Sequence, residues 1–339
     1  MRRSVIALVI TVVAACSTPN AGGASPSVEP GVGTKATFII ANPGGISALD
    51  DAGRFLGKIV KLPDQSAPST PVLHPSGTSI VFSITQQPDA KRGFGSDIYT
   101  VNLDGTGLKP ILQHEDNNIF YASPRFDASG NVLYVHRRAA VITNGSYSGN
   151  DDAIVRVDLR TNQSTRIIKD GADPTISPDG KTLVYIHLKD SQIDTLWRAD
   201  VDGSNAGPLF KTKDAFWYMQ APRFTPKGCD IVFSGAGHTT SQMGGGATTA
   251  RSPTTGSAGG RLAHLNIPSE LFLVPCDGSS LKSVGQTGDD VVPAWSPDGS
   301  RIAYVGSGGF FVLDVSAQTT RTIAQGQDFF FGDLVWVKG

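Results

Sequence analysis

Pro293-Ala-Trp-Ser-Pro-Asp-Gly299 recurs, with variation, at four earlier places in the chain. The other copies are Pro71-Val-Leu-His-Pro-Ser-Gly77, Pro124-Arg-Phe-Asp-Ala-Ser-Gly130, Pro174-Thr-Ile-Ser-Pro-Asp-Gly180 and Pro222-Arg-Phe-Thr-Pro-Lys-Gly228. Each runs into a short apolar stretch with an aromatic residue at the same place: Phe82, Tyr134, Tyr185, Phe233 and Tyr304. Such a block encodes a short strand, a tight turn and a second strand, because Pro and Gly set the turn between two apolar runs. The blocks begin at 71, 124, 174, 222 and 293, so they lie 53, 50, 48 and 71 residues apart. A period near 50 is the signature of a repeat architecture and fits one propeller blade per repeat.

The second half of each unit repeats too. Asp97-Ile-Tyr-Thr-Val-Asn-Leu-Asp-Gly105, Thr195-Leu-Trp-Arg-Ala-Asp-Val-Asp-Gly203 and Glu270-Leu-Phe-Leu-Val-Pro-Cys-Asp-Gly278 each read as a strand entering a hairpin turn. Residues 154–168 and 310–323 hold the same place in the second and fifth units. Each unit is therefore two hairpins, strands A to D. Five units leave fragments at both ends. The C-terminal Asp333-Leu-Val-Trp-Val337 has room for one strand, and residues 36–41, 45–50 and 56–62 supply three. The expected fold is all-β: a six-bladed propeller of four-stranded antiparallel blades, its ring closed by N-terminal strands plus one C-terminal strand. Such closure leaves no open blade edge. Seven blades is the alternative count.

The Ser-Pro-Asp-Gly pattern, clearest at Trp295 to Ser300 and Ile176 to Lys181, resembles the TolB-type, WD40-like propeller repeat over residues 36–339. The resemblance implies the propeller fold and an envelope or cell-surface protein partner. The same repeat class includes propellers attached to serine peptidases and some polysaccharide lyases. The chain departs from TolB in having no N-terminal α/β domain ahead of the repeats.

What stands there instead is a basic start at Arg2 and Arg3, an apolar run over residues 5–15, and Val13-Ala14-Ala15-Cys16. Eleven apolar residues are too few to span a bilayer but suit a signal h-region. The small residues before Cys16 resemble the bacterial lipobox. Residues 1–15 are thus expected to be a lipoprotein signal peptide, with Cys16 lipidated and 16–35, rich in Ser, Pro, Gly, Ala and Thr, a flexible tether. The expected location is extracytoplasmic, lipid-anchored to the bacterial cell membrane or outer membrane. In that compartment Cys229 and Cys276 are expected to form a disulfide, since one begins the second strand of its blade and the other ends the third. With 29 basic and 30 acidic residues the net charge is −1, and no basic stripe favours nucleic acid. A monomer is expected.

No Gly-x-Ser-x-Gly elbow occurs, which argues against peptidase chemistry. His136 and His187 stand two residues beyond the blade aromatic in adjacent units. They are weak metal candidates, set against a plainer role as strand-end histidines bonded to loops; no cofactor is expected. The Asp-Gly pairs at Asp104, Asp179, Asp202, Asp277 and Asp298 read as turn chemistry.

Function is sought on the face that carries the B–C loops and D–A connections, where lengths vary: 86–96, 113–123, 137–152, 211–221 and the flexible blade-four insertion 236–268. Acids followed by aromatics precede blades two, four and six. The candidate partner-binding residues are Phe120, Tyr121, Arg125, Phe216, Trp217, Tyr218, Arg223 and Phe330. The competing reading is that the rings cap the core between blades. The functional expectation is a protein-binding scaffold at the cell envelope. The alternative is a carbohydrate-active propeller, such as a polyuronate lyase, or a carbohydrate-binding one.

Overall fold

The computed structural model describes residues 25–210, 216–237, 267–326 and 333–338. The signal segment, Cys16 and Phe330 lie outside the described residues. In chain order the strands are β1 (Ser27–Val28), β2 (Phe38–Asn42), β3 (Gly45–Leu49) and β4 (Phe55–Lys61). The first repeat gives β5 (Ala67–Leu73), β6 (Ser79–Asp89), β7 (Gly93–Asn102) and β8 (Lys109–Leu112). The second gives β9 (Ile119–Phe126), β10 (Val132–Thr143), β11 (Ser146–Asp158) and β12 (Gln163–Lys169). The third gives β13 (Gly171–Ile176), β14 (Thr182–Lys189), β15 (Gln192–Asp200) and β16 (Gly207–Pro208). The fourth gives β17 (Tyr218–Phe224), β18 (Ile231–Ala236), β19 (Glu270–Val274) and β20 (Lys282–Gln286). The fifth gives β21 (Ala294–Trp295), β22 (Arg301–Gly306), β23 (Gly309–Asp314) and β24 (Thr319–Gln325), followed by β25 (Leu334–Trp336).

The fold is an all-β propeller, with one 3-10 turn at Gly33–Lys35 as the helical element among the described residues. Its strands form five hydrogen-bonded sheets. Repeats three, four and five are four-stranded sheets, but six separate four-stranded blades are not what the pairing gives. Repeats one and two join in one eight-stranded sheet, because β7 and β9 run side by side in parallel over Gly95↔Ile119 and Ser96↔Phe120. Glycine permits that approach: a Cβ on Gly95 would stand 2.3 Å from the Ile119 carbonyl oxygen. The closing sheet has five strands in the order β1-β4-β3-β2-β25. The C-terminal strand lies against β2 as expected, with Phe38 opposite Trp336.

The fifth strand corrects the reading of 16–35 as free tether. Ser27 and Val28 pair with Lys61 and Val60. Glu29 then donates its amide to Ile59 and ion-pairs with Lys61, and Gly31 bonds the Asp104 carbonyl. Residues from 27 onward are therefore fastened to the closing sheet and the first repeat. Since β4 ends at Lys61 on the face where D–A connections emerge, and Ser27 lies opposite Lys61, the chain reaches Ser27 from that same loop face.

Side chains alternate across each strand, so every sheet buries both faces. Along β6, Ile80, Phe82 and Ile84 face the closing sheet, while Val81 faces the second repeat. Six apolar clusters result among the described residues, each shared by two neighbouring units. The five repeat aromatics are at the centre of this packing, 0–3% exposed. Burying each stabilises the fold by roughly 2–3 kcal/mol.

The Asp-Gly pairs are turns. Each carboxylate accepts the amide two residues on, from Thr106, Lys181, Ser204, Ser279 and Ser300 in turn. The following glycines all have φ between 69° and 90°.

Candidate functional site: the loop face and channel mouth

Strand A is the innermost of each unit. In four of them the residue before the block's proline has a left-handed backbone: Thr70 (φ 47°), Ser123 (φ 49°), Asp173 (φ 48°) and Ala221 (φ 52°). The A–B ladder loses register at each of these places, as at a β-bulge. Bulged amides need partners outside their own ladder, and carboxylates of other units supply them. Asp333, just before β25, accepts the Thr70 amide at 3.0 Å. Asp173 accepts the Ser123 hydroxyl from one side and the Ala221 amide at 3.3 Å from the other. Repeats two, three and four are thus wired together through one buried carboxylate.

In the fifth unit Asp289 and Asp290 are fully buried. Asp289 accepts the Ser307 amide at 2.9 Å. Asp290 accepts the Ile267 amide and the Tyr218 hydroxyl at 3.3 and 3.4 Å, which fastens the chain where it rejoins β19. Ile267 is buried and Ala236 belongs to β18, so both ends of the 236–268 insertion are part of the core. Residues 238–266 lie outside the described residues.

Further out on the loop face, repeats one and two carry a charged shelf that the sequence reading missed. Asp97 accepts from both the amide and Nδ1 of His114, at 2.7 and 2.6 Å, and from Arg92. Glu115 accepts the Tyr121 hydroxyl and two Arg137 nitrogens. Arg166 grips Asp151 with two nitrogens at 2.9 and 2.5 Å. Burial, with the Glu115 charge added, pushes the Tyr121 phenol up to about 12, so it stays a donor at neutral pH. The available signal was an acid within strand C of successive units: Asp97, Asp152, Asp194 and Glu270.

His136 and His187 are not brought together as a pair. His136 Nε2 lies 2.6 Å from Asp152, which also accepts from Arg138. Burial pushes the Asp152 carboxyl up, but His136 and Arg138 outweigh it and hold the group below its ordinary value. His187 bonds Asp194 at 2.9 Å and stacks on Trp197 at 3.9 Å. Each imidazole is engaged by an acid of its own unit. No group of three metal-ligating side chains occurs among the described residues.

The candidate partner-binding residues divide. Phe120, Tyr121 and Phe216 are buried, at 7, 5 and 9% exposure. Phe120 meets Phe94 edge-on, Tyr121 joins the core between repeats one and two, and Phe216 meets Phe233 and Phe272 edge-on. These rings cap the core. Trp217 is 47% exposed, and Tyr218 beside it is half-buried.

Arg125 and Arg223 are not at the loop-face mouth. They sit opposite Tyr134 and Val232, near the far end of strand A, and each donates to the carbonyl of the preceding proline. The expected grouping of aromatics with arginines is therefore undone by the length of strand A.

The B–C segment 137–152, expected as a loop, is a regular hairpin. Its ladder runs unbroken in direction to Thr143↔Ser146, with one bulge, and turns through Asn144 and Gly145 at φ 52° and 77°. Two successive positive φ values are what a type I′ hairpin turn needs. Val141, Ile142 and Tyr147 on this hairpin are 40, 55 and 60% exposed.

Cys229 and Cys276 are joined in a disulfide, with Cα atoms 5.3 Å apart. The β18–β19 register, Ile231 opposite Val274, carries straight on to this pair.

No family model and no curated protein matches the chain. Solved structures do. A candidate TolB from Agrobacterium tumefaciens is 14% identical, with a TM-score of 0.54, over 88% of this chain and 96% of that one. TolB from Acinetobacter baumannii is 15% identical, with a TM-score of 0.51, over 86% and 70%. A puromycin hydrolase is 13% identical at 0.50, but this chain spans only 54% of its length. At such identities the likeness establishes the propeller fold, which enzymes and non-enzymes share.

Proposed function

We propose that the chain is an extracytoplasmic, lipid-anchored propeller that works as a protein-binding scaffold at the cell envelope through its loop face. The observation that carries this reading is where exposed apolar surface lies. Seven large hydrophobic residues are exposed among those described. Four of them, Val141, Ile142, Tyr147 and Trp217, are on the loop face. The sheets beneath are closely packed, and a charged shelf of Glu115, Arg137, Asp151 and Arg166 lies at the base of the hairpin that carries Val141, Ile142 and Tyr147. A half-exposed tryptophan beside a half-buried tyrosine is the composition of an interface anchor. The disulfide supports an oxidising compartment, and the Val13-Ala14-Ala15-Cys16 segment supports a lipid at Cys16. The lyase reading gains nothing here: its arginines sit at the far end of strand A and its histidines are held by acids. Carbohydrate binding keeps one point in its favour, since the Trp217 ring could stack on a sugar face.

We also read the ring as six blades, taking the eight-stranded sheet as two blades joined at Gly95 and Ser96. Six apolar clusters, each between two neighbouring units, support this count.

Crosslinking on intact cells tests the function, comparing the wild-type chain with Trp217→Ala. One envelope protein captured by the wild type and lost by the variant supports the scaffold. Recovery of glycan alone favours the sugar reading, and equal capture by both chains removes Trp217 from the interface.

A further inference from the structure

The β10–β11 hairpin has no task in the ring. Its base is held: the Ala140 amide bonds the Asn118 carbonyl, and the Asn150 amide bonds Ser191 Oγ of the third repeat. Beyond that base, among the described residues, the two strands pair only with each other. The equivalent turn of the third repeat closes at Lys189↔Gln192. The second repeat continues about five residues further, or roughly 17 Å at 3.3 Å per residue. Residues 139–150, Ala-Ala-Val-Ile-Thr-Asn-Gly-Ser-Tyr-Ser-Gly-Asn, contain no charged residue. Ile142 and Tyr147 are cross-strand partners and so share one face of the hairpin. An uncharged arm that ends in exposed aliphatic and aromatic side chains is built for an apolar or interfacial environment.

The position of the N-terminal segment says what that environment is. The chain reaches Ser27 from the loop face, the face from which the hairpin projects. Nine residue-to-residue steps lead from Cys16 to Ser25, a covalent reach of at most about 30 Å. That exceeds the hairpin's projection, so a lipid at Cys16 and the hairpin tip can meet one surface. Aliphatic side chains enter the acyl boundary, and tyrosine favours the headgroup level.

We propose that the tip of the β10–β11 hairpin, through Ile142 and Tyr147, inserts into the surface of the bilayer that holds the N-terminal lipid. The propeller then stands with its loop face toward the membrane and is held off by the length of the hairpin. Of the envelope reading, this inference borrows only the lipid at Cys16. Any partner of Trp217 would then be membrane-proximal. With no charge in the arm, binding should be indifferent to salt and to anionic lipid.

The test uses the full mature chain with Cys16→Ala, which removes the lipid and leaves Ile142→Cys as the single free thiol for an environment-sensitive dye. The chain is mixed with excess phosphatidylcholine vesicles, and separately with vesicles of equal parts phosphatidylethanolamine and phosphatidylglycerol. The expected result is a blue-shifted dye quenched by brominated lipid in both, unchanged by added salt. The same dye at Thr161→Cys, on the opposite face, should not respond. In an unlabelled chain, Tyr147→Asp should lower vesicle co-sedimentation at least tenfold while the circular dichroism stays the same. No response at position 142, a response that salt abolishes, or full binding by Tyr147→Asp overturns the proposal. Mass measurement of the N-terminal peptide from cells reports separately on Cys16, so failure of the anchor and failure of the hairpin are told apart.

Discussion

Asp173→Ala should cost the ring about 3–5 kcal/mol. The Asp173 carboxylate is 7% exposed and accepts the Ser123 hydroxyl and the Ala221 amide, each from a different repeat. A hydrogen bond to a charged acceptor contributes about 1.5–3 kcal/mol net, and a buried donor left without its acceptor costs about 1–3 kcal/mol. The Ala221 amide, at 3.3 Å, belongs at the lower end of that range. Backbone strain adds little, because Ala221 already holds the same left-handed bulge position in the fourth repeat; alanine there costs at most about 1 kcal/mol. Asp173→Asn keeps one acceptor oxygen and should cost about half as much. Urea denaturation followed by the fluorescence of the four tryptophans gives the midpoint and slope. The expectation is a lowered midpoint with an unchanged slope. An Asp173→Ala chain within about 0.5 kcal/mol of wild type would refute the idea that this carboxylate ties three repeats together, since that is the ordinary scatter of neutral substitutions.

Gly95→Ala places a methyl 2.3 Å from the Ile119 carbonyl oxygen and 2.6 Å from the His114 ring, so it should destabilise by about 1–3 kcal/mol through overpacking between the first two repeats. Gly77→Ala, with open space but φ 73°, should lose only about 1 kcal/mol, and thermal melts of the two side by side separate steric from conformational cost. Replacing both Cys229 and Cys276 by serine frees a loop closed over a separation of 47 residues, and loop entropy alone sets the loss at about 4 kcal/mol, read as a fall in the denaturation midpoint. The Asp152 carboxyl is held below its ordinary 3.8 in the folded chain. Its stabilising contribution is therefore complete above about pH 4 and lost as pH falls through the folded value. The stability gap between wild type and Asp152→Asn should then narrow below pH 4, and a gap constant from pH 6 to pH 2 would contradict the pairing with His136 and Arg138.

The parts of the molecule that were legible in sequence are those where one residue type answers one local demand. The Pro-to-Gly block marks a strand, a turn and a strand because the turn needs Pro and Gly. The repeated aromatic marks a core position because every sheet is buried on both sides, and Phe82 and its four equivalents sit there. The disulfide followed from an expected oxidising compartment and from two cysteines on neighbouring antiparallel strands. What was misread depends on distances along a strand or between units. Arg125 is only four residues from Tyr121 in sequence, yet with the bulge at Ser123 between them it lies toward the opposite end of strand A. Phe120 and Phe216 look like binding aromatics in a D–A connection, and packing against the next ring turns them inward. The eight-stranded sheet depends on a two-residue contact between distant segments, which no local pattern announces. The pairing of Glu115 with Arg137 is likewise set by how repeats one and two abut.

The same distinction bears on where function lies. At the channel mouth Asp173 and Asp333 accept the bulged amides of Ala221 and Thr70, each from a neighbouring unit. These two carboxylates are thus engaged in holding neighbouring units together. The loop face departs from repetition in two places described by the structure: the overlong hairpin of the second repeat and Trp217 ahead of the fourth. Those departures carry exposed apolar side chains that the ring does not need, and a ring stable without them is free to use them on something else.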